Sequence, residues 1–327
     1  MRPVAIVPVA GVGTRLKPYT LTTPKPLLLV AGKPILGHIL DQLIVARPER
    51  VVLVVGPGSQ GDRIRSFASR YRDLKVECVT QGEPRGLGHA VAQAKDAAGG
   101  APLLIVLGDT IVLAAFEEIV SGGSKIGVRE VSDPRRFGVA TVRDGRIVAL
   151  EEKPEHPASP WAVVGLYFIE DGPALFSSLD ELTEGNRLTR GEIQLTDALQ
   201  SVIRRGADLR PFPVEGWYDC GTLETLLGTN RALLDRLGKP VVRERVVVVA
   251  PVAIDPAADV AEAVIGPHVT IGPGARVRRA ILRDCIVNEG ATVEDILLEG
   301  SVVGEDAVVR GAHGRLDVVD PSDGAHS

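Results

Sequence analysis

Aromatic residues make up only 4% of the 327-residue chain, which carries just three cysteines and two tryptophans. Cys78, Cys220 and Cys285 lie far apart with no C-x-x-C spacing, which excludes a zinc knuckle and a disulfide framework; buried or neutral free thiols are expected. With so few aromatics to spare, Trp217 reads as a core or pocket-wall residue rather than a stacking platform for a base. No run approaches the roughly 18 apolar residues of a membrane span, and the N-terminus enters a strand without a secretory pattern, so a cytoplasmic protein is expected. An excess of basic residues is missing too. The formal net charge is -5 and the pI near 5.8, which argues against nucleic acid or an acidic membrane as the main partner and makes any phosphate recognition local.

What the chain has is apolar content, 45% hydrophobic, enough for one large core or two smaller ones, and two domains are expected. Ala5, Ile6, Val7 and Val9 suit a short buried strand. Residues 35–46 follow Pro34 with apolar side chains at helical spacing, and Val51 to Val55 is a continuous apolar run ended by Gly56-Pro57-Gly58. A polar helix over 62–71, a strand over 76–79, a helix over 87–97 and a strand over 103–107 continue the alternation. This rhythm predicts an α/β domain with a mostly parallel, Rossmann-like sheet, whose ligands gather at the carboxyl ends of the strands. Asp144-Gly145 between two further strands is a hairpin signal.

The first such end is GVGTRLKPYTLTTPKP, Gly11 to Pro26. Gly11 and Gly13 allow a sharp turn and close approach of a ligand, successive backbone N–H groups form an anion nest, and Arg15 and Lys25 supply a guanidinium and an ammonium. Together they describe a cradle for a nucleoside triphosphate. The loop is not a P-loop, because no Gly-Lys-Ser/Thr closes it, and it is not the dinucleotide fingerprint, because Leu16 stands where the third glycine belongs. An isolated G-x-G is more often a plain strand-to-helix turn.

Two further loops fall at strand ends. In TQGEPRGLGHA, Gln81 can pair with a base edge and Gly86 can admit backbone close to it, although alone the stretch is only a loop with turn residues. In LGDT, Asp109 follows an apolar strand, where an isolated aspartate is usually a cap; GWYDCGT supplies Asp219 in a similar glycine-flanked setting. Asp208 lacks that setting and reads as solvated.

The segments G-x-G-T-R-L-x-P, T-x-P-K-P-L-L and G-K-P resemble the signature of sugar-nucleotide pyrophosphorylases, which join a nucleoside triphosphate to a sugar 1-phosphate. Ala10 departs from the double glycine of many members. The resemblance implies that Gly11, Gly13 and Thr14 bind nucleotide, that Arg15 and Lys25 are catalytic, and that Gln81 and Gly86 recognise the base. It also implies Mg²⁺ on Asp109 and Asp219. For the sugar phosphate it points to Lys153 and Glu152 in E-E-K-P, to Gly138, and to Val164 and Gly165 in V-G-x-Y, a stretch that serves equally as a bulged strand. In GEIQLTDALQ, Glu192 is a further candidate, a helix is expected from Gly191, and Thr196 and Asp197 serve helix and core. The layout and the D-P-R-R-F-G-V-A segment most resemble long glucose-1-phosphate thymidylyltransferases. Uridylyl and guanylyl transfer are the alternatives, and a non-catalytic sugar-nucleotide-binding regulator is the remote one.

Past Gly238-Lys239-Pro240 the pattern changes. Pairs such as Ala263/Ile265, Val269/Ile271, Ala275/Val277, Ala280/Leu282, Cys285/Val287 and Ala291/Val293 recur at hexapeptide-like intervals through Ala307/Val309, the mark of a parallel β-helix. The form resembles left-handed β-helices. The expected division is a catalytic domain over 1–238, a β-helix over 239–311 and a tail over 312–327. Hexapeptide β-helices also form acyltransferases, but His268 beside Pro267 reads as a coil corner rather than a base. Flat faces and open ends favour a homo-oligomer instead.

Overall fold

The computed structural model describes residues 1–237, 244–311 and 313–314. The expected boundary at 238/239 and nearly all of the expected tail at 312–327 lie outside them. Two compact units form, one from residues 1–11 and 38–217, the other from residues 12–37 and 218–327.

The first unit is built on a nine-stranded sheet. Strand β1 (Val4–Pro8) lies parallel to β2 (Arg50–Val55) on one side and to β4 (Leu103–Val106) on the other, and β3 (Val76–Thr80) continues parallel beyond β2. Val4 to Val7, Val51 to Val55 and Leu103 to Val106 are buried, as continuous apolar runs must be when helices cover both faces. Beyond β4 the sheet turns antiparallel through the strands Ser124–Glu130, Gly138–Arg143, Arg146–Glu152 and Trp161–Ile169. Asp144 and Gly145 both take positive φ, 50° and 72°, the geometry the hairpin signal demands.

Three helix boundaries differ from the sequence expectation. The helix expected over 62–71 spans Gly58–Ala68, starting directly after Pro57, and Arg70 and Tyr71 close on Phe67 and Ala68 in tighter i to i+3 turns. The helix expected over 87–97 divides into Leu87–Ala92 and Lys95–Ala98, because Ala94 N bonds back to Val91 O and tightens the turn between them. The helix expected from Gly191 begins at Leu195. Arg190 and Gly191 adopt φ of 55° and 82°, and Thr189 and Glu192 exchange backbone hydrogen bonds across that turn, so residues 189–192 cannot be helical.

In the second unit the repeats stack as parallel coils. Val252 pairs with Val269, Ile271 with Val287 and Val287 with Val303 on one sheet; Val277 pairs with Val293 and Val293 with Val309 on another. Every pair from Ala263/Ile265 to Ala307/Val309 is buried. Where a strand has one face open to solvent its burial alternates, so that in Ile296–Glu299 it runs in, out, in, out. Burial also pushes the Cys285 thiol up to about 12, leaving it a neutral core group, as expected. His268 sits at a corner with φ 62° and its Nε2 lies 2.8 Å from Asp235 Oδ1.

Adjacent residues of one coil test this alternation. Leu298→Ala, at a fully buried position, is expected to cost about 2–5 kcal/mol, whereas Leu297→Ala, 43% exposed, should stay within about 0.5 kcal/mol. Urea unfolding midpoints of the two variants check the difference.

Candidate active site

In the first unit, parallel pairing brings the carboxyl ends of β1, β2, β3 and β4 to one edge of the sheet. Backbone bonds then tie the loops that leave them. Val9 N donates to Val54 O at 2.8 Å, Gln81 N to Val55 O at 2.9 Å and Gly108 N to Pro8 O at 3.2 Å. Asp109 is thus set just beyond a buried strand end, and Thr110 Oγ1 donates to its Oδ1 at 3.2 Å. Gln81 is 6% exposed. Its Nε2 donates to Gly86 O at 3.2 Å and lies 3.0 Å from His89 Nδ1, which holds the amide in one orientation. Burial, and next the Arg85 charge, push the His89 imidazole below its usual range, favouring the neutral ring that can accept from Gln81. At Gly86 φ is 110°, and a Cβ would stand 2.7 Å from Ile193 O. Glycine is required there because the loop and the 189–194 turn touch backbone to backbone.

A second group of candidate residues in the same unit is organised by Glu152. Its Oε2 accepts from Thr196 Oγ1 at 2.7 Å, and its Oε1 lies 3.2 Å from Lys153 Nζ. Gly138 borders the pair, since a Cβ there would meet both Glu152 Oε2 and Thr196 Oγ1 at 3.4 Å. Lys153 takes φ 46°, its N–H donates to Phe137 O at 3.0 Å, and its carbonyl accepts from Arg190 at 2.7 Å. The side chain is therefore presented from a fixed backbone with 45% of its surface exposed. Tyr167 lies near both Glu152 and Asp109. Burial, then the Glu152 and Asp109 charges, push its phenol well above the usual range, so it remains a neutral, buried group near both carboxylates. Val164 and Gly165 fall where the register with strand Ser124–Glu130 shifts, and Gly165 O accepts from Leu107 N at 2.9 Å. The bulge ties this strand to the segment leading into Asp109.

Sequence reasoning assigned Thr196 to helix and core and gave no role to Tyr167 or Arg190. Only the placement of a hydroxyl beside E-E-K-P could have pointed to Thr196, and that pairing spans two distant segments. Glu192 bonds within its own turn through Gln194. Asp208 pairs with Arg146 and Arg210 at 41% exposure, and Trp217 packs edge-on against Phe137 with centroids 4.6 Å apart.

Arg15, Lys25 and Asp219 belong to the second unit. Gly13 takes φ 66°, Thr20 Oγ1 donates to its carbonyl at 2.9 Å, and the short helical turn Thr14–Leu16 follows, pinned by buried Leu16. A Cβ at Gly13 would meet Lys25 Cβ at 3.0 Å, so the stem of the buried lysine packs on the glycine turn. At Gly221 a Cβ would meet Asp219 Oδ1 at 2.9 Å and an Arg15 guanidinium nitrogen at 3.3 Å; carboxylate and guanidinium border one small space. Gly11, in the first unit, has no positive φ, and a Cβ there would meet nothing within 4 Å. The turn geometry expected of both glycines is thus needed at Gly13 alone.

Residues 4–236 match the Nucleotidyl transferase family, and residues 240–306 match the GlmU-like C-terminal hexapeptide family. A glucose-1-phosphate thymidylyltransferase of Streptomyces antibioticus is 32% identical over 336 residues, covering 93% of each chain. The enzyme of the same name from Streptomyces griseus is 34% identical over 321 residues, covering 91% of this chain and 88% of its own. Among solved structures, a UDP-glucose pyrophosphorylase complexed with UDP-glucose superposes with TM-score 0.62 at 25% identity, covering 72% of this chain and all of its own, 100%.

Gly86→Ala should destabilise the protein by about 1–3 kcal/mol through backbone strain alone and release Gln81 from its fixed orientation. Denaturant unfolding gives the first effect. The second appears as a shift of the Gln81 side-chain amide resonances, whose Nε2 loses its bond to residue 86.

Proposed function

We infer the activity from membership: the chain belongs to the nucleotidyl transferase family, and it transfers a nucleotidyl group from a nucleoside triphosphate to a sugar 1-phosphate with release of pyrophosphate. dTTP and glucose 1-phosphate are the proposed pair, supported by two relatives of that activity that align along almost the whole chain. The observation that carries the assignment to particular residues is the Thr196–Glu152–Lys153 arrangement beside Gly138. It offers one exposed ammonium for a phosphate and one anchored carboxylate for sugar hydroxyls.

The proposed reaction is a direct in-line displacement. A phosphate oxygen of the sugar 1-phosphate forms the new bond to the α-phosphorus while the bond from that phosphorus to the bridging oxygen of pyrophosphate breaks. The nucleophile is already ionised and the leaving group is a weak base, so no side chain has to move a proton. Catalysis then consists of alignment and neutralisation. Lys153 takes the attacking phosphate, Lys25 the α-phosphate region and Arg15 the departing pyrophosphate. Gly11, Gly13 and Thr14 offer backbone to the triphosphate, Gln81 and Gly86 the base edge, and Val164, Gly165 and Gly138 the sugar wall.

Mg²⁺ is the proposed cofactor, with Asp109 and Asp219 as its protein ligands. Among the described residues no cluster of three or more His, Cys, Asp or Glu side chains forms a protein-only cage. Single hard carboxylates are instead the donors that suit Mg²⁺ when substrate phosphates complete its shell. The ion would supply charge neutralisation on those phosphate oxygens.

Pyrophosphate release measured across dTTP, UTP, GTP, ATP and CTP with glucose and mannose 1-phosphates tests the assignment. Fastest turnover with dTTP and glucose 1-phosphate is expected. A preference for UTP would favour the uridylyl alternative, and no release with any pair would favour a binding protein. Lys25→Ala should lower kcat by about 10²–10³-fold, the cost of one charge-stabilising donor, with an unchanged circular dichroism spectrum. The nucleotide KM should rise on acidification with an onset below about 6.5, the usual histidine pKa, because burial and the Arg85 charge lower the His89 pKa in the fold. His89 is held neutral in the fold, so acid drives a proton onto Nδ1 and removes the acceptor that orients Gln81. A nucleotide KM that stays flat until the protein unfolds in acid would contradict that role.

A further inference from the structure

We propose that Glu305, on the β-helix, is a positioning residue for the loop carrying Arg15 and Lys25, acting through Thr23. The proposal rests on the nucleotide role inferred above for those two cations. Within the second unit, residues 19–32 run down one side of the coils in reverse order. The Tyr19 hydroxyl donates to Val302 O at 3.3 Å, Leu29 N donates to Asn288 Oδ1 at 3.4 Å, and a Cβ at Gly32 would lie 3.0 Å from that of Ala253. Tyr19 and Thr23 thus meet the coil of residues 302–305, Leu29 the earlier coil of Asn288 and Gly32 the still earlier one of Ala253. Asn288 is itself fixed by donating to Val303 O at 2.8 Å.

One contact in this series ends on a carboxylate. Thr23 Oγ1 donates to Glu305 Oε2 at 2.5 Å, the length of a charge-assisted O–H to carboxylate bond, and Thr23 is only 6% exposed. Pro24 alone separates it from Lys25, and Pro26 follows. Both prolines fix φ, and Leu27 N and Leu28 N close back onto Pro24 O and Lys25 O at 2.7 and 3.1 Å. With these φ angles and bonds fixed, few dihedrals are left to absorb a displacement of Thr23, and it is passed on to Lys25. Because the Lys25 stem packs on Gly13, the disturbance reaches the turn that bears Arg15. The β-helix thereby becomes part of the machinery that places the cations.

The test uses the full chain with Glu305→Ala, Glu305→Gln, Thr23→Val and the Glu305→Ala/Thr23→Val double variant. We expect Glu305→Ala to lower kcat on the order of 10- to 100-fold, the scale of a misplaced catalytic group, while KM for the sugar 1-phosphate stays unchanged. Amide exchange at Leu27 and Leu28 should accelerate, with the coil strands as protected as before. Glu305→Gln keeps an accepting oxygen and should retain most of the rate, and the double variant should be no slower than either single one. Wild-type kcat in Glu305→Ala, equal losses in the Ala and Gln variants, or additive losses in the double variant would each overturn the proposal. If the wild type releases pyrophosphate with no substrate pair, the transferase reading falls on its own. Unaltered exchange at Leu27 and Leu28 in Glu305→Ala would then still refute the positioning role.

Discussion

Repulsion between two phosphate-bearing reactants is the constraint to which the proposed site answers. A triphosphate and a sugar phosphate do not approach each other in water at a useful rate, and no proton transfer by the protein would remedy that. What helps is fixed positive charge at defined points, in surroundings that spare the cost of reorganising solvent. The residues proposed to bear on the reacting phosphates are accordingly the cations Arg15, Lys25 and Lys153, the carboxylates Asp109 and Asp219, and backbone amides. None is a nucleophile or a general base.

Fixed charge needs a fixed backbone, and each unit provides it differently. In the first, the parallel register of β1 with β2 and β4 brings strand ends together, and loop-to-strand bonds such as Gly108 N to Pro8 O set Asp109 beyond them. Lys153 is presented from a backbone pinned by Phe137 and Arg190. In the second, repeated coils form a rigid wall along which a loop poor in regular structure is laid. Residues 12–37 belong to that wall's unit and not to the sheet from which the chain has just emerged. The strand before the loop and the lysine within it thus fall in different units.

Periodicity made the architecture legible in the sequence. Continuous apolar runs mark buried parallel strands, and the paired residues from Ala263 to Val309 mark the coils because each must face one shared core. Helix limits were less legible, since tight turns at Ala94 and at Arg190-Gly191 depend on local hydrogen bonds that composition does not reveal. The same holds for side-chain partners. Thr196 lies far along the chain from Glu152 and Thr23 far from Glu305, so no spacing rule connects them. Motifs name the charged groups, whereas the neutral groups that orient them emerge only when the chain is folded.

The central claim is that the new phosphate ester forms in one displacement driven by charge and alignment. Its most direct test is the stereochemical course at the α-phosphorus, followed with a nucleotide of defined chirality bearing sulfur on that phosphorus. A single in-line step predicts inversion in the sugar nucleotide product. Retention would require a covalent nucleotidyl-enzyme intermediate and would contradict the account.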